Sequence, residues 1–198
     1  MAQLPMHNLE EKVKQVEAVF VRLDQAISAF QATTTLHCKW GCGKCCFKPD
    51  IEATALEFLP FAYHLYEHGL AQAWHERLQH EPGSICLILD AQQSGAGMCS
   101  QYTHRGLICR LFGYSARTNK YSQKELVTCQ IVKTEQSVAY ETAARKIENG
   151  ELAVPVMNEF YMQLRSVDPD LGQEFYPINL AIRKAIEQVL HYFAYRSA

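Results

Sequence analysis

The sequence predicts a mainly α-helical fold with a small, irregular, β-containing, cysteine-rich centre. Apolar stripes of helical period run along both ends of the chain, and the middle has no such period. No regular alternation of strand and helix is present, which argues against a doubly wound sheet or a barrel. All eight cysteines fall in the aperiodic middle, from Cys38 to Cys129.

Residues 8–32 read as one long helix. Leu9, Val13, Val16, Phe20, Leu23, Ile27 and Phe30 recur at alternating spacings of 4 and 3, with Glu10, Glu11, Lys14 and Glu17 on other faces. Asn8, three residues before Glu11, supplies an N-terminal cap. A second long helix is predicted over 177–196, opened by Pro177 and striped by Ile178, Ile182, Ala185, Ile186, Val189 and Phe193. The two are expected to pack on each other and close a single domain spanning 1–198. Between them, 50–68 reads as a helix in which Thr54 and Glu57 form a capping box and Pro60 marks a kink or a first turn. Shorter helices follow at 70–80, ended by Pro82-Gly83, at 134–148 and at 155–166. The remainder, 84–130, reads as strand-like at 84–89, loop at 94–97, and short strands at 107–115 and 125–132.

With 48% hydrophobic and 20% charged residues the composition is that of a globular protein. No apolar run reaches the roughly 20 residues of a membrane helix, so no membrane partner is expected. A net charge of -2 gives no general pull toward nucleic acid. The start MAQLPMHNLEEKVKQVE has no basic stretch followed by an apolar core, so no secretory signal is read and a cytoplasmic, reducing location is expected.

In that setting clustered cysteines point to metal more than to disulfides. Cys38, Cys42, Cys45 and Cys46 are spaced C-x3-C-x2-C-C within nine residues, and Gly41 and Gly43 permit turns that aim several sulfurs at one point. Cys86, Cys99, Cys109 and Cys129 complete a set of eight candidate ligands, enough for two four-sulfur sites or one larger cluster. Neighbouring side chains such as Cys45 and Cys46 are expected to diverge and to serve two metals or two corners of a cluster. That favours an iron–sulfur cluster of the 4Fe–4S type, with Zn2+ as the alternative. From Ala91 to Lys124 there is no acidic residue, while Arg105, Arg110, Arg117, Lys120 and Lys124 are present. Such cations would stabilise thiolates, against the plainer reading of a solvated basic face. Tyr102, Phe112, Tyr114 and Tyr121 interleave with these bases, but the overall charge makes nucleic acid an unlikely partner. His37 and His104 flank cysteines and are candidates for outer-shell partners.

The cysteine pattern resembles the YkgJ-type cysteine-cluster family, also called the CxxCxxCC domain. The second half of that family's pattern reads C-x-I-Y-x-x-R-P-x-x-C-R, and Cys99, Tyr102, Arg105, Cys109 and Arg110 stand at matching positions here. Gln101 and Gly106 replace its isoleucine and proline. The resemblance covers roughly 36–130 and implies a zinc- or iron-chelating core, with all eight cysteines as ligands and Arg105, Arg110 and Tyr102 as cofactor-binding residues. The expected function is metal binding with a redox or modification role on a protein or small-molecule partner. The alternative is a non-catalytic zinc-stabilised binding module or a metal-handling protein.

Overall fold

A computed structural model describes residues 8–39, 41–81, 83–93 and 96–196. The helix stop expected at Pro82 and the loop residues Ser94 and Gly95 lie outside these. The first helix, α1 (Leu9–Thr34), buries the whole predicted stripe, and its Asn8 side chain accepts the Glu11 N–H at 2.7 Å. At the other end α9 (Ile178–Arg196) buries Ile178, Ala181, Ile182, Ala185, Ile186 and Val189. The two helices pack into one core, as their stripes require: α2 (Leu59–Glu67) contacts both, and the Tyr192 hydroxyl donates to Glu10 at 3.3 Å. The fold is mainly helical, and among the described residues its strands form only short antiparallel pairs. No helix there is long and apolar enough to cross a membrane.

The stretch 50–68 is helical only in its second half. Glu52–Thr54 is a strand, β1, paired with β6 (Phe175–Pro177) in the register Glu52 to Pro177. Pro177 therefore ends a strand immediately before α9 instead of opening the helix. The capping box forms as read: Thr54 donates its N–H to Glu57 Oε1 at 2.8 Å, and Glu57 donates its N–H to Thr54 Oγ1 at 3.4 Å. It starts a 3-10 turn, Leu56–Phe58, and Pro60 sits in the first turn of α2, where its missing N–H costs nothing. Next come α3 (Ala71–His80) and, after the cysteine-rich middle, α5 (Gln130–Glu135), α6 (Ser137–Glu148), α7 (Met157–Val167) and the short α8 (Pro169–Gln173).

The middle departs from expectation in three places. Of residues 84–89, 84–88 form bends and a turn, not a strand; the strand begins at Leu89 and runs as β2 (Leu89–Gln93) into β3 (Ala96–Cys99). Residues 107–111 form a short helix, α4 (Leu107–Leu111), ahead of β4 (Ser115–Thr118). β4 pairs with β5 (Lys124–Val127), after which the chain turns helical at Gln130. The apolar residues here do reach cores. Cys86, Ile88, Leu107 and Leu111 join the main core, while Ala116, Leu126 and Val132 join a second one with Phe30, Leu36, Ala143, Ile147 and Val154. Tertiary burial, not local period, decides the conformation of this region.

Candidate metal centre

The first four cysteines are placed by backbone contacts to distant elements. Gln136, between α5 and α6, clamps His37 from both sides: its Oε1 accepts the His37 N–H at 3.1 Å, and its Nε2 donates to the His37 carbonyl at 2.7 Å. The Tyr114 hydroxyl accepts the Cys38 N–H at 2.7 Å. Gly41 takes φ +72°, a left-handed conformation suited to glycine. Gly43 then meets the β2–β3 hairpin backbone to backbone, its N–H donating to the Gly97 carbonyl at 2.7 Å. A Cβ at Gly43 would stand 2.3 Å from that oxygen. The chain next enters a 3-10 turn, Lys44–Phe47, which buries no residue and carries Cys45 and Cys46.

Each later cysteine is held by its own device. Cys86 lies in the turn before β2, pinned by Asn179 of α9. The Asn179 amide donates to the Gly83 and Ile85 carbonyls, both at 2.8 Å, and its oxygen accepts the Leu87 N–H at 2.9 Å. Cys99 ends β3 opposite Leu89. Cys109 rides on α4, whose start is capped by the fully buried Glu57: its Oε2 accepts the Ile108 N–H at 2.7 Å. Gly106 makes that approach possible, since a Cβ there would fall 2.9 Å from the same oxygen. Cys129 caps α5, its sulfur accepting the Val132 N–H at 3.5 Å.

All eight thiols are free, and charge effects among them connect later cysteines with the first four. Cys38 is pushed up to about 11, by burial and then by the neighbouring Cys42, Cys129 and Cys45. Cys46 is raised by its hydrogen bond with Cys45, then by burial and by Cys45, Cys109 and Cys86; Cys45 is correspondingly lowered by that bond to Cys46, with Arg105 adding to the effect. Burial comes first for Cys86, raised to about 11, and for Cys99, with further upward pushes from Cys99 on the one and Cys45 on the other. Cys109, half-buried, is raised well above the ordinary thiol value by burial, then Cys86, Glu57, Cys99 and Cys45. Cys45 acts on four of the others, Cys38, Cys46, Cys99 and Cys109. Cys42 and Cys129 are linked to Cys38, and Cys86 to Cys46 and Cys109. Thiols that resist ionising, first because they are buried and then because other thiols lie near, are what a cation placed among them would relieve.

The adjacent pair does not diverge as its sequence position suggests. Cys45 Sγ and Cys46 Sγ are 4.0 Å apart. Two thiolates on one tetrahedral zinc, with Zn–S of about 2.3 Å, stand roughly 3.8 Å apart. As the side chains stand, no three Cys, His, Asp or Glu groups among the described residues are gathered closely enough to hold an ion.

The two arginines take different parts. Arg105 lies over the ring of Tyr102, its guanidinium carbon 3.9 Å from the centroid, and acts on both Cys45 and Cys99. Its Nε is buried without a hydrogen-bond partner. Arg110 turns away toward α1. It forms a close ion pair with Asp24, donates to the Thr103 carbonyl at 2.6 Å and the Arg105 carbonyl at 3.1 Å, and packs over Phe20. It braces the segment that presents Arg105. Arg117 pairs with Glu125 on the exposed β4–β5 hairpin. His37 is exposed and bonds Thr35, and His104 joins other histidines instead of the thiols. Asn179, Gln136, Tyr114 and Glu57 escaped the sequence reading as placing residues, because their partners lie 51 to 99 positions away. Only the Thr54–Glu57 box gave a local hint.

No curated protein and no solved structure matches the chain. Residues 37–136 match the CxxCxxCC family, described as a putative zinc- or iron-chelating domain. That stretch contains every cysteine together with Tyr102, Arg105 and Arg110, and it is half the chain: the protein belongs to the CxxCxxCC family.

Proposed function

We propose that this protein chelates metal through its eight cysteines, as two adjoining thiolate groups that meet at Cys45. The observation that supports it best is a chain of charge effects among the thiols: Cys45 acts on Cys38, Cys46, Cys99 and Cys109, Cys42 and Cys129 act on Cys38, and Cys86 acts on Cys46 and Cys109. The donor set fits: eight free sulfurs, with Arg105 acting on Cys45 and Cys99 to offset thiolate charge while its guanidinium also lies 3.9 Å from Asp24. The 4.0 Å separation of Cys45 and Cys46 favours a shared tetrahedral ion of the zinc type for that pair.

An iron–sulfur cluster is the second reading, favoured by the cationic setting of Arg105 near Cys45 and Cys99, which suits an anionic cluster. Such a cluster would supply one-electron chemistry, and the exposed Tyr102 beside Arg105 would border the route of a protein or small-molecule partner. Bound zinc would instead hold the segments together or pass to an acceptor. In either case the chain's part is to surrender thiol protons, so loading strengthens as pH rises.

Elemental analysis of anaerobically purified protein, with an acid-labile sulfide assay and a visible spectrum, decides between them. Zinc without sulfide or colour supports the two-ion centre. Iron with equimolar sulfide and a broad visible band supports the cluster. A metal-free protein that stays metal-free after reconstitution under reductant sinks both.

A further inference from the structure

Three imidazoles gather outside the thiol centre, where α2 meets the turn Tyr102–His104. His64 and His68 are one helical turn apart, so their rings leave the same side of α2. Their centroids lie 4.1 Å apart, and the His104 ring stacks on His64 at 4.2 Å. Nδ1 of His68 is 2.8 Å from the His64 carbonyl oxygen. A carbonyl can only accept, so Nδ1 carries the proton and Nε2 keeps its lone pair for a ligand. A ring nitrogen anchored to a backbone carbonyl is the usual second contact of a metal-bound imidazole. His104 is held toward its neutral, ligating form by burial and then by His64, Arg110 and His68. The Arg110 charge that reaches it is itself paired with Asp24.

We propose that His64, His68 and His104 form a second metal site, of nitrogen ligands, for a late first-row divalent cation such as Zn2+. Two imidazoles bound to one tetrahedral ion with Zn–N of about 2.0–2.1 Å have ring centres roughly 5 Å apart. The observed spacings are within an ångström of that. Stacked as they stand, the rings do not yet converge on one point; an ion would require the half-buried His64 and His104 to turn toward the exposed His68, whose Nδ1 contact stays in place. Neutral imidazole suits Zn2+ and Ni2+ without thiolates, which separates this site chemically from the cysteine centre. Because Tyr102–His104 lies between Cys99 and Cys109, an ion here would fix the strap joining two candidate thiol ligands.

The test is titration of the purified, metal-loaded full chain with Zn2+ at neutral pH, by calorimetry and elemental analysis. Wild type is compared with His68→Gln, the double variant His64→Gln/His68→Gln, and the control His75→Gln, whose ring instead meets Glu187. The expected result is one further Zn2+ in wild type and the control. His68→Gln should weaken it at least about tenfold, and the double variant should lose it. Equal uptake by all four proteins, or no further uptake by wild type, overturns the proposal. Uptake is read as a difference between variants at exposed or half-buried positions, so the result stands whether or not the thiols hold metal.

Discussion

At the scale of single residues, the arrangement rests on groups that the fold encloses at a cost. Glu57 is wholly buried, and its carboxyl is pushed from the ordinary 4.5 up to about 7, by burial that outweighs the bonds from Ile108 and Thr54. The folded state therefore holds this proton more tightly than the unfolded chain does. Its contribution to stability is complete below about 4.5 and is lost as pH rises to about 7, a change of roughly 3 kcal/mol. Unfolding free energies of wild type and Glu57→Gln, compared across that window at fixed metal content, should diverge with that slope; parallel curves would show that Glu57 titrates normally. Gly43 makes the opposite kind of demand, for absence of bulk. Gly43→Ala would place a methyl 2.3 Å from the Gly97 carbonyl oxygen and displace the hydrogen bond that docks the loop on the hairpin. A loss of about 1–3 kcal/mol in stability is expected, with reduced bound metal by elemental analysis. An alanine variant with unchanged metal content and melting temperature would mean the docking contributes nothing.

At the scale of elements, the sequence was readable where burial follows a helical period. The stripe from Leu9 to Phe30 and that from Ile178 to Val189 are buried as their spacing demands, and Asn8 and the Thr54–Glu57 box cap as their residue types suggest. It was misleading where one long-range group sets a short element. Leu107–Leu111 is helical because the Glu57 carboxylate, fifty-one positions earlier, meets the N–H of Ile108. Residues 84–88 turn instead of extending because Asn179 takes up backbone groups of Gly83, Ile85 and Leu87. Asn179 sits in the first turn of a distant helix, and nothing in a local window marks it. The candidate site divides in the same way. The spacing of Cys38, Cys42, Cys45 and Cys46 announced a sulfur-rich loop, whereas the linkage of the remaining thiols to that loop depends on where α4, α5 and the hairpin fall. Arg105 and Arg110 look equivalent in sequence and both reach Asp24 of α1, yet Arg105 stacks on Tyr102 and acts on Cys45 and Cys99, while Arg110 is held by the Thr103 and Arg105 carbonyls.

At the scale of the whole molecule, two apolar cores flank the thiol centre and each supplies part of it. The main core anchors Cys86 and the α4 turn bearing Cys109, and the second anchors Cys129 through Val132. These parts have apolar burial of their own, which argues against the centre being organised by metal alone. The loop from Cys38 to Lys48 is different. Its 3-10 turn buries nothing, and its position depends on Gln136, Tyr114, Gly97 and whatever cation joins Cys45 and Cys46 to the rest. Removing metal should thus free this loop first while leaving α1 and α9 intact. With a chelator and reductant present, trypsin should cut earliest after Lys39 or Lys44, both exposed, and far-UV circular dichroism should change little. Intact-mass analysis of a timed digest identifies the first cut. Early cleavage within α1 or α9, or collapse of the helical signal, would mean that metal binding carries the folding of the whole chain. Equal resistance with and without metal would place the loop's stability in its backbone contacts alone.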